Sequence, residues 1–197
     1  MHQQRLPRCF YAREPVDVAR ALIGKRVIRI LNGQELIGRI VEAEAYRGSE
    51  DAASHARRGR TARNYPMFGE PGHSYVYFIY GMHWMFNVSA HPEGVAGAVL
   101  IRALEPEAGL EIMRHRRGHR ADLELTNGPA KLAEALAIDE ALNDVDLCTS
   151  HLLTIVEGEL SPDETVTAGS RLRVPGGEAA KRRAWRFWVE GNPFVST

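Results

Sequence analysis

Two carboxylates stand two residues apart in the stretch "IGRIVEAEAYRG" (37–48). In an extended strand Glu42, Glu44 and Tyr46 share one face, because successive side chains point to opposite sides, and the two carboxylates lie about 7 Å apart. Burial or a like-charged neighbour raises the pKa of a carboxyl group and makes it a better base. The spacing is typical either of a base that activates water or of a solvated strand face.

Tyrosines are concentrated in "YVYFIYGMHWMFNVS" (75–89), which we interpret as two strands. A buried tyrosine hydroxyl or asparagine amide needs a hydrogen-bonding partner, so Tyr77, Tyr80 and Asn87 fit poorly in an apolar core. Tyrosine rings beside basic loops could grip a planar heterocycle on a phosphate backbone; an aromatic core strand is the alternative. Strand alternation puts Tyr77 and Tyr80 on opposite faces, so both serve one site only if the chain bends before Gly81.

The charges are segregated along the chain although 25 Lys and Arg balance 25 Asp and Glu. Basic stretches with four cationic side chains each stand at 56–63, 114–120 and 181–186, and acidic residues gather at 139–146 and 157–164. Such segregation favours one basic and one acidic face, which suits a polyanionic partner. Separate solvated loops are the alternative, and a net charge of zero argues against a tail-like nucleic-acid binder.

Length and composition bound the class of protein. The 197 residues, 44% of them apolar and 25% charged, are typical of one soluble globular domain. We find no run of 18 apolar residues and no apolar signal segment, so we predict a cytoplasmic protein without membrane contact. Cys9 and Cys148 lack CxxC spacing, and His115 and His119 have no acidic partner in their motif, so we predict no metal site and no cofactor.

The elements that must position these residues indicate an α+β fold. Asn32-Gly33 predicts a two-residue hairpin turn, and the polar, arginine-rich residues 47–73 predict a long functional loop. Strands clustered around few helices, without regular βαβ alternation, are typical of an α+β domain. The further predicted elements are strands at 74–80, 84–90 and 98–103, in "RLRV" and in "WRFWV", and helices at 107–117 and 129–142.

Four motifs of the chain resemble those of one protein family. "VEAEAYRGSEDAASH", "YVYFIYGMHWMFN", "LIRALEP" and "NGPAKL" occur in the same order as in the alkyladenine (3-methyladenine) DNA glycosylase family. The resemblance covers nearly the whole chain, from "VARALIG" (18–24) to "GNPFVS" near its end. We therefore expect a single glycosylase domain over residues 1–197, built around a curved, mostly antiparallel sheet with flanking helices and a protruding hairpin.

The resemblance implies a monofunctional glycosylase that flips a damaged purine out of duplex DNA and hydrolyses its N-glycosidic bond. Flipping is required because C1′ is inaccessible within the base stack. By motif, Glu44 would be the general base for the attacking water, and Arg102 would help to hold that water and a nearby phosphate. The implied lesions are alkylated or deaminated purines of the 3-methyladenine, 7-methylguanine and hypoxanthine type, and the product is an abasic site.

The resemblance also implies a base pocket. Tyr46 and Tyr77 would sandwich the flipped base, and His55 would hydrogen-bond to it. Tyr80 would enter the minor groove as a wedge and fill the vacated stack. Asn87 would exclude guanine by an unfavourable contact with its exocyclic amine.

The implied partner is double-stranded DNA containing damaged purines, bound by a monomer. Arg57, Arg58, Arg60 and Arg63 of the basic loop would contact its phosphates. Lys131 in "NGPAKL" would either support a helix start or contact a phosphate. No motif demands a lyase amine.

Two other functions use the same residues. A non-catalytic reader of damaged DNA would have the same pocket, and only turnover would separate it from a glycosylase. A carbohydrate hydrolase could use Glu42 and Glu44, since their separation could admit a water molecule between acid and base. The basic loops and the lack of a Trp-lined groove disfavour that third function.

Overall fold

One antiparallel sheet organises the chain, whose computed structural model describes residues 4–196. Its eight strands within those residues are β1 (Arg26–Leu31), β2 (Gln34–Tyr46), β3 (Ser74–Ile79), β4 (His83–Ser89), β5 (Ala98–Ala108), β6 (Leu153–Val156), β7 (Val166–Gly169) and β8 (Arg186–Val189). Six strands follow the order β3-β4-β5-β2-β1-β6, while β8 pairs with both β2 and β7. All of these pairs are antiparallel, as expected from the sequence.

The long strand β2 lies in the middle of the sheet. Its hairpin with β1 turns at Asn32 and Gly33, whose φ angles of 52° and 78° are those of a type I′ turn, so the hairpin prediction is confirmed. β5 pairs along one side of β2, and β1 and β8 share the other side. Side chains in the second half of β2 are therefore held by strands on both sides.

The alternation predicted for β2 is confirmed, but neither of its faces is solvated. Val41, Ala43 and Ala45 lie in the main hydrophobic core. Glu42 and Glu44 point to the other face, where both are 0% exposed. A carboxylate this deeply buried requires partners or a perturbed pKa, so a solvated strand face is the wrong interpretation.

The β3–β4 hairpin ends in a tight turn that projects from the sheet. Strand β3 stops at Ile79, Tyr80 and Gly81 both adopt positive φ (56° and 69°), and the Met82 amide donates to the Ile79 carbonyl at 3.2 Å. This is the bend that the two-tyrosine interpretation requires, because alternation along a strand no longer applies to Tyr80. Tyr80 is 77% exposed at the tip.

Helices cover the apolar face of the sheet. The described residues include α1 (Arg8–Tyr11), α2 (Pro15–Leu22), α3 (Leu110–Arg116), α4 (Pro129–Ala135) and α5 (Glu178–Arg182). α2 packs against β2 and β5, and α4 packs against β4 and β5. Their buried faces join Phe86 and Ile101 in one core cluster. Burial of this apolar area provides the main driving force for the fold.

Three predicted elements differ from the structure. β5 continues to Ala108, so the helix predicted from residue 107 begins only at Leu110, after Gly109 in a left-handed conformation. The helix predicted to reach Leu142 ends at Ala135, because Ala137 adopts φ 52° and reverses the chain. The "RLRV" segment is not a strand; β7 forms earlier, at Val166–Gly169.

The structure confirms a single compact α+β domain with an open antiparallel sheet, flanking helices and a protruding hairpin. Within residues 4–196, no helix is both long and apolar enough to cross a membrane.

Candidate active site

A cavity of about 390 Å³ opens beside the hairpin tip. Tyr46, His55, Tyr77, Tyr80 and Asn87 all line it. They come from β2, the long loop and the β3–β4 hairpin, so the fold brings together every residue that was predicted for the base pocket and the wedge.

Part of the cavity wall was not predicted from the sequence. Tyr75 and Met67 lie on one side, and a C-terminal segment closes another. The C-terminal lining residues are Arg173, Val174 and Pro175. Arg173 adopts φ 53°, which breaks the extended conformation that "RLRV" predicted and lets the segment wrap around the cavity.

Three side chains form an aromatic cluster on the hairpin side. The Tyr77 ring centroid lies 5.2 Å from that of Tyr75 and 4.7 Å from that of His55. The Nδ1 atom of His55 is 2.8 Å from the Tyr75 hydroxyl oxygen, and Asn87 Nδ2 donates to the Tyr75 carbonyl at 3.0 Å. Tyr75 is 1% exposed and thus anchors two of the predicted pocket residues.

Burial controls the protonation of this cluster. It raises the pKa of Tyr75 well above that of a free tyrosine, so the hydroxyl stays protonated. Partial burial of the ring, and then the charge of Arg63, lower the pKa of His55 below 6.5, although the residue as a whole is exposed. A neutral His55 can accept a hydrogen bond from the Tyr75 hydroxyl at Nδ1, which leaves an N–H at Nε2 as a donor.

Glu44 lies directly behind the cavity wall. Its Oε2 accepts a hydrogen bond from the Tyr46 hydroxyl at 2.9 Å, and its Oε1 accepts one from the Leu172 amide at 2.7 Å. Burial raises the pKa of Glu44 above 4.5, although Arg102 and the two hydrogen bonds oppose that rise. A buried carboxylate with a raised pKa, next to a cavity, has the properties of a general base.

Glu42 is fully engaged, in contrast to Glu44. Its Oε1 accepts hydrogen bonds from Arg102 Nε (3.0 Å), Arg186 Nε (2.6 Å) and the Ser196 hydroxyl (2.9 Å). Its Oε2 accepts the Ser196 amide at 2.7 Å. With two cations and two neutral donors around it, Glu42 has the surroundings of a structural ion pair, so the two carboxylates are not equivalent.

Arg102 connects the two carboxylates. Its Nε bonds Glu42, its Nη2 donates to the Ser196 hydroxyl at 3.1 Å, and its Nη1 lies 3.3 Å from Glu44 Oε1. The side chain is 9% exposed. Burial opposes the charge of Arg102, but the nearby carboxylates hold its pKa above the usual value of an arginine, so it stays charged beside Glu44.

A second buried ion pair fastens the C-terminal wall of the cavity. Arg171 Nη1 and Nη2 lie 2.6 and 2.9 Å from the two carboxylate oxygens of Asp51, and both side chains are 0% exposed. Arg171 also donates to the carbonyls of Ala45 and Ala180. Because Leu172 follows Arg171, this pair fixes the amide that bonds Glu44.

The basic loop lies beside the cavity. Arg57 and Arg58 belong to the short 3₁₀ turn that begins at His55, and Arg60 follows it. Along with Arg63 they are exposed, and within residues 4–196 none of the four forms an ion pair, although most other arginines of the fold do. Unpaired arginines at a cavity mouth attract anions such as phosphates.

Lys131 lies away from this cavity. It belongs to the first turn of α4, where its Nζ donates to Asn127 Oδ1 at 2.7 Å. Its predicted contact with phosphate stays a prediction. In the part of the chain that the structure describes, no group of three His, Cys, Asp or Glu side chains is arranged to bind a metal ion.

Comparison with known proteins identifies the family to which the chain belongs. The family model of methylpurine-DNA glycosylase (MPG) matches residues 9–193. The chain belongs to the methylpurine-DNA glycosylase family.

Relatives are similar over their full length. A protein of Carboxydothermus hydrogenoformans described as a candidate 3-methyladenine DNA glycosylase is 48% identical over 97% of this chain and 98% of its own length. A protein of Streptomyces avermitilis with the same description is 46% identical over 97% of this chain and 90% of its own length. One of Bacillus cereus is 44% identical over 96% of this chain and 98% of its own length. The family inferred from four sequence motifs is therefore confirmed.

Sequence patterns could not reveal three residues of this glycosylase-family site. The sequence offered no pattern that connects Tyr75 with His55, the residue that its hydroxyl contacts in the structure. Asp51 and Arg171 stand 120 residues apart in the chain, and no local spacing connects them. Long-range pairing of this kind depends on the β2–β8 contact, which sets where the C-terminal segment crosses β2.

Proposed function

We propose that this family member is a purine DNA N-glycosylase. It flips an alkylated or deaminated purine of the 3-methyladenine, 7-methylguanine or hypoxanthine type out of duplex DNA, hydrolyses the N-glycosidic bond with a water activated by Glu44, and leaves an abasic site. One observation carries the proposal: a buried carboxylate of raised pKa stands directly behind a tyrosine-lined cavity at the foot of an exposed tyrosine tip.

The cavity supports recognition of a flipped base. Tyr46 and Tyr77 line it, and we assign them the two faces of the base. Stacking on aromatic rings stabilises an unstacked base by about 1–3 kcal/mol. The Nε2–H of neutral His55 supplies a donor for an acceptor atom of the base, and Asn87, fixed by its bond to the Tyr75 carbonyl, limits the shape at the cavity floor.

The hairpin tip supports insertion into DNA. Tyr80 is the most exposed large apolar side chain among the described residues, at 77%. A flat ring at the end of a tight turn can enter the minor groove and replace the extruded base in the stack. Extrusion exposes C1′ to the carboxylate behind Tyr46.

The chemistry assigned to Glu44 needs no covalent intermediate. Glu44 removes a proton from water as the water oxygen attacks C1′, and the C1′–N bond electrons leave with the purine. Arg102, 3.3 Å from Glu44 Oε1, helps to position that water and keeps Glu44 ionised between turnovers. A cationic or easily protonated purine leaves readily, so one base and a fitted cavity suffice.

The exposed arginines support DNA as the partner. Arg57, Arg58, Arg60 and Arg63 place positive charge beside the cavity that no described carboxylate pairs. Lys131, which lies away from the cavity, is assigned a phosphate contact from its motif alone. Such contacts make affinity fall steeply with salt. We assign a monomer acting on chromosomal DNA in the cytoplasm.

A lesion panel tests this function. Duplexes carrying hypoxanthine, 3-methyladenine or 7-methylguanine are incubated with the protein, and abasic sites are revealed by alkali. We expect cleavage at one or more lesions and none at normal purines. Glu44→Gln should abolish cleavage while lesion-DNA affinity stays largely intact. Absence of product from all three lesions would refute the glycosylase.

Two other functions give different results in the same panel. A non-catalytic reader would bind lesion duplexes without forming abasic sites. A carbohydrate hydrolase would need Glu42 as a second catalytic carboxylate, but both oxygens of Glu42 are occupied by hydrogen bonds from Arg102, Arg186 and Ser196. That arrangement favours the glycosylase over the hydrolase.

A further inference from the structure

Both tyrosines assigned to the base sandwich are covered by an arginine. The guanidinium carbon of Arg63 lies over the Tyr77 ring, 5.2 Å from its centroid, and that of Arg171 lies over the Tyr46 ring at 4.9 Å. Neither arginine lines the cavity, so each covers its ring from outside. A cation on one face of an aromatic ring already interacts with the electron density of the ring, which weakens the attraction of the ring for a second cation on the other face.

The two arginines differ in whether a neighbouring carboxylate compensates their positive charge. Arg171 forms a bidentate ion pair with Asp51, which neutralises it at short range. Arg63 forms no ion pair with the described residues and is exposed. Of the two arginines that cover the sandwich rings, Arg63 is therefore the one whose charge no described carboxylate compensates.

Arg63 is held in place by the edge of the sheet. β3 is an edge strand, so the outward-facing backbone groups of Ser74, Val76 and Phe78 have no neighbouring strand to bond. The Ser74 amide donates to the Val145 carbonyl, the Val76 amide donates to Asn143 Oδ1, and the Phe78 carbonyl accepts Arg63 Nη2 at 2.8 Å. The third of these bonds fixes the guanidinium over the ring of the preceding residue, Tyr77.

The position of Arg63 matters for the charge of the base. A purine in van der Waals contact with the cavity face of Tyr77, about 3.5 Å from the ring, would lie roughly 9 Å from the guanidinium. At an effective dielectric of about 20, repulsion between two unit charges at that distance corresponds to roughly twentyfold in affinity, and solvent screening at an exposed arginine lowers it to about fivefold. A neutral base is not affected in this way.

We propose that Arg63 is a specificity-determining residue that disfavours cationic bases, so that the pocket accepts neutral deaminated purines better than tyrosine walls alone would allow. The inference rests on the proposed function. Arg63 then acts through Tyr77 as a positioning and electrostatic residue, in addition to any attraction for phosphate.

Single-turnover excision of two lesions in the same duplex context tests this inference. 7-Methylguanine is cationic and hypoxanthine is neutral. The measured quantity is the ratio of their second-order rate constants, each the maximal single-turnover rate divided by the half-saturating protein concentration. Arg63→Gln and Arg63→Met should each raise the 7-methylguanine to hypoxanthine ratio about fivefold, whereas the charge-retaining Arg63→Lys should keep the wild-type ratio.

Arg60→Gln is the matched control, because it removes an exposed, unpaired arginine of the same loop that covers no ring. It should weaken both lesions equally and leave their ratio unchanged. An unchanged ratio in folded Arg63→Gln or Arg63→Met, or an equal rise of the ratio in Arg60→Gln, would overturn the inference alone. Excision of neither lesion by the wild-type protein would overturn the inference, and absence of product from 3-methyladenine as well would overturn the proposed function.

Discussion

Removing the charge of Asp51 should destabilise the whole domain and disturb the catalytic end of the cavity. Asp51→Asn keeps the shape of the side chain but leaves Arg171 without its bidentate partner. Both side chains are 0% exposed, so water cannot replace the lost carboxylate. The backbone amides of Arg47 and Ala53 each donate to a different oxygen of Asp51. The single side-chain oxygen of an asparagine can replace only one of these two acceptors.

The expected cost follows from the burial of the pair. Breaking a fully buried ion pair by removing one partner typically costs about 3–5 kcal/mol, because the remaining charge is uncompensated. For a domain of this size, each kcal/mol lowers Tm by roughly 2–4 °C, so we expect a fall of about 6–20 °C. Excision should fall as well, because Leu172, which bonds Glu44 at 2.7 Å, follows Arg171 directly.

Urea unfolding and calorimetry of four proteins measure this: the wild type, Asp51→Asn, Arg171→Met and the double variant. The double variant should be much less destabilised than the sum of the singles, since it removes both fully buried charges of the pair together. Burial opposes ionisation of Asp51, but Arg171 and two backbone amides together hold its pKa below 3.8. The stabilisation from Asp51 is therefore present above the unfolded-state pKa and lost as pH falls through the lower folded-state pKa, a loss that Asp51→Asn should not show.

A loss below about 1 kcal/mol in Asp51→Asn would refute the reasoning, because it would mean that the site relaxes or hydrates easily. Additive effects in the double variant would also contradict it. In that case Asp51 and Arg171 would contribute to stability independently of each other.

Two further predictions concern Glu44, the proposed base, and the hairpin tip. Burial raises the pKa of Glu44 above 4.5, and a general base must be ionised to accept a proton. The rate of single-turnover excision should therefore fall as the pH is lowered, with the midpoint of the fall above pH 4.5. A midpoint below that pH would contradict the assignment. Tyr80→Ala should slow excision from duplex DNA roughly 5- to 150-fold, the value of one lost stacking interaction of about 1–3 kcal/mol. Its Tm should be unchanged because Tyr80 is 77% exposed, and undiminished excision would show that the tip is not a wedge.

The strand carrying Glu42 and Glu44 shows how far the sequence could predict the fold. Period-two alternation placed both carboxylates opposite Val41 and Ala43, and the structure agrees. Alternation identifies a face but not what covers it. The cover is the C-terminal segment and Ser196, which reach Glu42 from 154 positions away in the chain. The unequal surroundings of the two carboxylates were therefore not predictable from local pattern.

The hairpin tip and the "RLRV" segment show when a local sequence indicates a positive φ angle and when it does not. Glycine readily adopts positive φ, so Gly81 indicated a turn. The two-tyrosine interpretation then required a bend in the chain before Gly81. Nothing comparable marks Arg173, a non-glycine residue at φ 53°, so its segment was interpreted as a strand. Conformations that tertiary contacts impose on ordinary residues leave no signal in the local sequence.

The tight turn at Tyr80 has a consequence for affinity. A large side chain at φ 56° is strained by about 1–2 kcal/mol, which a glycine would avoid. In a turn of this kind, however, the direction of the Cα–Cβ bond is already fixed before any partner arrives. Ordering one backbone residue costs about 1–2 kcal/mol, and here that cost is met when the domain folds. In the proposed function, a duplex that binds the protein therefore meets a tip that is already ordered, and little of the binding free energy is lost to ordering it.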